Sequence, residues 1–275
     1  MEAYSVLMTV YHGENPEQFD MAIRSMLDQT YRTDDFTIVC DGPLTSELEL
    51  VLERYTREYP ELFQLVRLPE NVGIGEANNA GLKYCKNDLV AKMDADDIAV
   101  PDRCEKQVAR FRDNPKLAVL GGIIEEFDQD PLTPFAVRHV PAEYEEIRKF
   151  ARRRQPFNNT TVMYRRSAVV AVGGYRKLRR CEDYDLYIRL LHGGMRAENL
   201  RDVLVKVRVD NGACSRRASM STLHGVIHSR WHAFRLGYSS LLDFLICTMG
   251  ELVILVCPSG VQQFIYNSFL RQHRR

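Results

Sequence analysis

The sequence predicts an α/β protein with a mostly parallel central sheet, helices on both faces, and a helical C-terminal extension. Three observations carry this expectation. Short apolar runs alternate with helical patterns through the first half of the chain, the signature of βαβ units. Polar residues stand just past the end of each apolar run, where open α/β sheets bind their ligands. No internal repeat or low-complexity linker divides the 275 residues, a length at which one large α/β domain buries a sizeable core.

The elements follow in order. SVLMTVY (5–11) reads as the first strand. The next segment is a helix, because Phe19, Ala22, Ile23, Met26 and Leu27 recur at helical spacing. FTIVCDG (36–42), FQLVRL (63–68) and NDLVAKMD (87–94) repeat the strand theme, with helices over 46–58 and 75–85 between them. A helix opened by Pro101 runs to about Asn114. The pattern then loosens through AVLGGIIEEF and a turn-rich QDPLTP. EYEEIRKFARRR is basic and helical, TTVMYRR (160–166) is strand-like, a helix ends at Gly173-Gly174, and another spans 182–192. VLVKVRV (203–209) is the last clear strand, and the tail from Ser219 is helical in character.

Lys plus Arg equals Asp plus Glu at 37 each, which gives no basic excess for nucleic acid. The seven cysteines are scattered without metal-type spacing, so reduced thiols in a cytoplasmic setting are expected. MEAYSVLMTVYHGE lacks a basic start and a cleavage site, so it reads as a strand rather than a secretory signal. The Asn159-Thr160-Thr161 sequon is accordingly expected to stay unmodified. SSLLDFLICTMGELVILVCPSG (239–260) is strongly apolar, but Asp243, Gly250 and Glu251 break it into runs far short of the ~20 residues that span a bilayer. With the basic end FIYNSFLRQHRR it predicts a segment lying in an anionic membrane interface, or else a helix packed on the domain.

Chemistry concentrates at KMDADDIAVPDR. Crowding Asp94, Asp96 and Asp97 at a strand end costs several kcal/mol unless a cation meets them. A divalent metal bridging nucleotide phosphates is one such cation; the competing readings are a phosphatase-type aspartyl site and an Asp-rich turn capping the Pro101 helix. Asp41 in VCDGP is either turn chemistry or an acceptor for a base or ribose. In PENVGIGEANNAG, Gly73 and Gly75 precede a helix and would let backbone approach an anion, without matching a dinucleotide fingerprint. Glu182-Asp183 at a helix start is either favourable helix-terminal charge or a catalytic pair. Arg152-Arg153-Arg154 and Arg216-Arg217 are either solvated charge or contacts for pyrophosphate.

TVYHGE, MLDQTY, VCDGP, NVGIGEANNAG, KMDADDIAVPDR, NTTVMYRRSAV, GGY and CEDYDLYIRL stand in the order expected of glycosyltransferase family 2. Over about residues 4–217 the chain resembles that family's capsular, O-antigen and amylovoran-type bacterial members. The resemblance implies a GT-A nucleotide-sugar-binding fold over 1–218, with a nucleotide-binding half to about 115 and an acceptor-binding half over 116–218; the apolar and basic tail, read by itself, makes 219–275 a helical, membrane-associating extension. The resemblance also implies inverting transfer from a UDP-hexose or UDP-N-acetylhexosamine to a growing, lipid-linked surface polysaccharide at the inner face of the cell membrane. Carried over by position, Thr9, Tyr11 and Asp41 would line the uridine pocket with Asn71 and Gly73 beside them. Asp94 would face the ribose, Asp96 would ligate Mn²⁺ or Mg²⁺, and Asp183, next to Glu182, would be the general base. Where many relatives have His-Pro, this chain has Asn159 and Thr160, so no acceptor contact is carried over there. Where some place a third metal ligand after the last strand, it offers Asp210. A phosphatase-type hydrolase and a catalytically silent nucleotide-sugar-binding protein are the alternatives.

Overall fold

The computed structural model describes residues 2–209, 219–257 and 272–273. Its first half is a run of βα units: β1 (Tyr4–Val10), α1 (Pro16–Leu27), β2 (Asp35–Cys40), α2 (Ser46–Glu58), β3 (Phe63–Arg67), α3 (Ile74–Leu82) and β4 (Leu89–Asp94). All pairings in the order β3-β2-β1-β4 are parallel. Successive side chains of a strand go to opposite faces, so Val6 and Met8 pack with Phe19, Ile23 and Met26 of α1, whereas Leu7 packs with Ala77 and Leu82 of α3. Each such buried side chain contributes roughly 1.5–3 kcal/mol. Helix starts are specified locally: Asn15 accepts the Glu17 and Gln18 amides ahead of Pro16, and Thr45 accepts the Leu48 amide.

The second half comprises β5 (Ile98–Ala99), α4 (Arg103–Asp113), β6 (Leu117–Phe127), β7 (Ala136–Arg138), α5 (Tyr144–Ala151), β8 (Met163–Arg165), α6 (Arg166–Ala171), α7 (Glu182–His192), β9 (Arg196–Arg208), α8 (Met220–Arg235), α9 (Leu241–Val256) and β10 (Gln272–His273). Beyond β4 the sheet turns mixed. β8 lies antiparallel between β4 and β6, β6 pairs antiparallel with β7 and parallel with β9, and β10 extends the edge at β7.

Two segments differ from the sequence expectation. AVLGGIIEEF is the core of β6, every residue of which is buried; a strand covered on both faces has no alternation to read. Its glycines are required by packing, since a Cβ on Gly121 would stand 2.3 Å from Asn199 Oδ1 and one on Gly122 2.5 Å from Leu204 Cδ1. TTVMYRR starts with a 3₁₀ turn, Asn159–Thr161, before the short β8. The Thr161 hydroxyl donates to the Asn158 carbonyl (2.7 Å) and accepts from the Gly122 amide (3.0 Å), which folds this stretch around β6 instead of extending it.

Candidate active site

The C-terminal ends of β1 and β4 are neighbours in register, with Thr9 opposite Asp94. They open into a cavity of about 190 Å³ lined by Thr9, Glu14, Asn78, Lys92, Asp94 and Asp96, among others. Thr9 Oγ1 donates to Asn78 Oδ1 at 3.0 Å. This leaves Asn78 Nδ2, on a side chain only 2% exposed, with no hydrogen-bond partner among the described residues. An orphaned buried donor costs about 1–3 kcal/mol, and this one belongs to a residue that lines the cavity.

The acidic cluster is partly met by the protein itself. Lys92, 2% exposed, forms an ion pair with Asp94. Arg103 is fully buried behind it and donates to the Lys92 carbonyl at 2.7 Å and to Gln107 Oε1 at 3.1 Å. Asp97 accepts the Arg208 amide at 3.1 Å. These partners do not offset the crowding. Burial, then the Asp94 charge, pushes Asp96 up to about 6. Burial and the charges of Asp96 and Asp94 push Glu14 up to about 7 and hold Asp97 well above the usual carboxylate range. Among the described residues no three His, Cys, Asp or Glu side chains form a closed metal cage. Asp94 and Asp96 do suit an open site for a hard cation, in which one or two carboxylates hold the ion and phosphate oxygens and water complete its shell. Asp210, Arg216 and Arg217 lie outside the described residues.

Asp41 and Asn71-Gly73 form one corner at the end of β2. Asp41 is buried and accepts the Val72 amide at 2.7 Å and the Gly73 amide at 3.1 Å, while Asn71 Nδ2 donates to the Asp41 carbonyl at 3.3 Å. Gly73, at φ 90°, is the N-cap of α3, a conformation that favours glycine. In this structure Asp41 therefore shapes the loop that delivers Ile74 to the cavity wall. Tyr11 is exposed, its ring against Gly13 and edge-on to His12, outside the cavity lining.

Glu182 and Asp183 open α7 within reach of the Lys92 charge, and Asp183 within reach of Asp94 as well. Glu182 packs against Gly75, where a Cβ would stand 3.3 Å from its Cγ. Asp183 accepts the Tyr184 amide at 2.7 Å and Gln155 Nε2 at 2.6 Å. Burial, then the Asp183 charge, pushes Glu182 up to about 7; burial also raises Asp183, the Asp94 charge raises it further, and Lys92 lowers both. Lys92 thus sits electrostatically between the strand-end carboxylates and the α7 pair. Cys181, just before them, is the one non-glycine residue with positive φ (63°) among the described residues, and such strain gathers where function over-determines the backbone.

The structure brings Thr9, Asp94 and Asp96 into one cavity, sets Glu182 and Asp183 within reach of the Lys92 charge beside it, and uses Asp41, Asn71 and Gly73 to shape the loop that leads to Ile74 on its wall. Four further site residues, Glu14, Asn78, Lys92 and Gln155, escape the sequence reading. Lys92 did carry a signal, being a charge in the middle of the apolar LVAKMD.

A family model described as "Glycosyl transferase family 2" matches residues 5–179. The chain is 40% identical to an uncharacterized glycosyltransferase of Haemophilus influenzae, over 98% of this chain and 99% of that one. It is 34% identical to the amylovoran biosynthesis glycosyltransferase AmsE of Erwinia amylovora, covering 96% and 97%. With the Escherichia coli UDP-Gal:α-D-GlcNAc-diphosphoundecaprenol β-1,3-galactosyltransferase it shares 30% identity, covering 98% and 97%. The fold matches that of the Pyrobaculum calidifontis mannosyltransferase PcManGT, solved with GDP-Man and Mn²⁺, at a TM-score of 0.67 over 98% of this chain and 76% of that one, with 15% identity. A βα nucleotide-type half, an acidic crevice at the strand ends and a family match over more than half the sequence agree: the chain belongs to glycosyltransferase family 2, with a GT-A fold.

Proposed function

We propose that this glycosyltransferase moves a hexose or N-acetylhexosamine, with inversion, from a UDP donor to a lipid-linked acceptor during surface-polysaccharide assembly. The observation that carries the reading is the strand-end carboxylate pair Asp94 and Asp96 in one cavity, with Asp183 near enough to feel the charges of both Asp94 and Lys92. Inversion needs a carboxylate on the side of the sugar away from the leaving group, and a positive field where the diphosphate departs. Asp183 is suited to take the acceptor hydroxyl proton, its orientation fixed by Gln155 and the Tyr184 amide. Thr9 and Asn78 would bind the donor at the strand ends, and the Asp41 corner would hold the loop that closes around it. Asp96, with Asp94 beside it, would hold Mn²⁺ or Mg²⁺, which when bound offsets the charge of the departing diphosphate.

The relative that takes UDP-Gal and a diphosphoundecaprenol-linked acceptor, and the one named for amylovoran biosynthesis, support the donor and acceptor classes. No described helix is long and apolar enough to cross a membrane, and α9, at sixteen residues, spans only about 24 Å. It exposes Leu242, Leu245, Met249 and Val256, which supports peripheral contact with a bilayer.

Calorimetry of UDP binding with and without Mn²⁺ tests the proposal. The parent should bind UDP only with the metal, and Asp96→Asn should abolish that dependence and lower turnover by orders of magnitude. Unchanged UDP affinity of Asp96→Asn in Mn²⁺ contradicts it.

A further inference from the structure

A second cavity borders the segment that leads into Gln155, the partner of Asp183. Lys149, Phe150 and Arg152 to Arg154, at the end of α5, line a cleft of about 610 Å³ whose opposite wall includes Asp243 of α9. The walls are tied together. Arg153 Nε donates to Asp243 Oδ1 at 2.5 Å, and Asp243 also closes the capping box that starts α9. The Tyr238 hydroxyl, on the turn between α8 and α9, donates to the Arg148 carbonyl at 2.9 Å. Four cations (Lys149, Arg152, Arg153, Arg154) and two carboxylates (Glu146, Asp243) line the cleft, so its balance is positive in a chain of zero net charge.

The cleft is also joined to the general-base candidate. Gln155, which donates to Asp183, follows Arg154 by a single peptide step of about 3.8 Å. Tyr184, the residue after Asp183, donates its hydroxyl to the Ala151 carbonyl at 2.8 Å. Arg230 of α8 lies 3.6 Å from the centre of the Tyr184 ring and donates to the Ala151 and Arg152 carbonyls at 3.4 and 3.5 Å. The other wall, α9, carries the exposed apolar residues named above. Cationic cleft, apolar ridge and general base thus stand side by side.

We propose that this cleft holds the diphosphate of the lipid-linked acceptor, with the polyprenyl chain leaving along α9 and the acceptor sugar reaching Asp183. The inference rests on the glycosyltransferase reading and extends it to the acceptor. A diphosphate diester carries two negative charges, matching the excess of the cleft, and guanidinium forks suit phosphate oxygens. A diphosphate carried on the acceptor sugar must lie near the hydroxyl that Asp183 deprotonates, and the cleft residue Arg154 is next in sequence to Gln155, which donates to Asp183. Ordinary anionic headgroups such as phosphatidylglycerol share the sign of charge but offer a single phosphate to the guanidinium forks.

Vesicle co-sedimentation of the full chain separates the two sources. Phosphatidylcholine vesicles doped with undecaprenyl diphosphate are compared with vesicles doped with phosphatidylglycerol to the same surface charge. The parent should prefer the diphosphate lipid about tenfold, and Arg152→Gln/Arg154→Gln should remove the preference while metal-dependent UDP binding stays intact; Lys149→Gln should weaken it in part. Equal binding to the two vesicle types, or a preference that survives the double variant, overturns the proposal. Initial rates give the second readout. The double variant should raise KM for an undecaprenyl-diphosphate acceptor about tenfold and leave KM for an alkyl glycoside of the same sugar unchanged; equal losses with both acceptors overturn it. A diphosphate preference in a parent that transfers no sugar would instead count against the glycosyltransferase reading and leave the cleft assigned.

Discussion

Lys92 and Glu14 carry most of the residue-scale account, because they set the charge of the crevice. Glu14 and Glu182 are both pushed up to about 7 from an ordinary 4.5. A raised carboxyl favours its neutral form in the folded chain, so the stability it holds is complete below about 4.5 and is lost as pH rises through about 7. Glu14→Gln keeps the neutral shape at every pH. In metal-free buffer its melting temperature should match the parent's at pH 5 and exceed it by a few degrees at pH 8; a gap that does not vary with pH contradicts the assignment. Bound Mn²⁺ should narrow the gap at pH 8, since the cation stabilises the ionised cluster. The strand-end residues Thr9, Asp94 and Asp96 were legible in the sequence because an apolar run that stops at a polar residue marks the binding edge of such a sheet. Asn78, Gln155 and Glu14 were not, because their roles come from contacts across tens of residues, such as the 28 that separate Gln155 from Asp183.

Among the elements, α7 decides the geometry of Asp183, the proposed base, and α8 packs against α7 and the loop before it. Asp185, 1% exposed, accepts Arg189 Nε at 2.8 Å and pairs with His232 Nδ1 of α8 at 2.7 Å. Gly225 of α8 lies so close to the loop before Cys181 that a Cβ there would stand 2.5 Å from the Arg180 carbonyl oxygen. Gly225→Ala must therefore displace backbone one residue from the left-handed turn at Cys181. It should lower kcat at least tenfold while UDP affinity in Mn²⁺ stays within twofold, because the cavity at the ends of β1 and β4 is built without α8. Equal losses in both would mean that α8 holds the whole domain rather than the base. Helices α2 and α7 were legible to the residue, α2 from its local Thr45 cap and α7 from the acidic residues of its first turn. Strand β6 was not, its burial on both faces having erased the alternation, and the turn before β8 is imposed by Gly122 on the neighbouring strand.

Across the whole molecule a net charge of zero conceals a division of labour. An acidic crevice closes the parallel half, a basic cleft borders α5 and α9, and Asp183 is linked to the first by the Asp94 charge and to the second through Gln155. The global count could not reveal this, because the sheet crossings that bring residues 94, 155 and 183 together are not encoded in composition. The apolar ridge of α9 belongs to the same scale. Leu242→Glu/Leu245→Glu should shift the chain from phosphatidylglycerol vesicles into the supernatant in co-sedimentation and leave metal-dependent UDP binding unchanged. Retention on the vesicles would show that this ridge packs elsewhere. The central mechanistic claim is that Asp183 takes the acceptor proton, and Asp183→Asn tests it most directly by keeping the shape while removing the basicity. Loss of a general base typically costs 10²–10⁴-fold in rate, roughly 3–5 kcal/mol, whereas loss of a helix-terminal charge costs about 1 kcal/mol of stability and little activity. Transfer rate and UDP affinity measured on the same preparation decide between them: the account predicts parental UDP affinity in Mn²⁺ with transfer reduced at least a hundredfold, and transfer above about a tenth of the parental rate would contradict it.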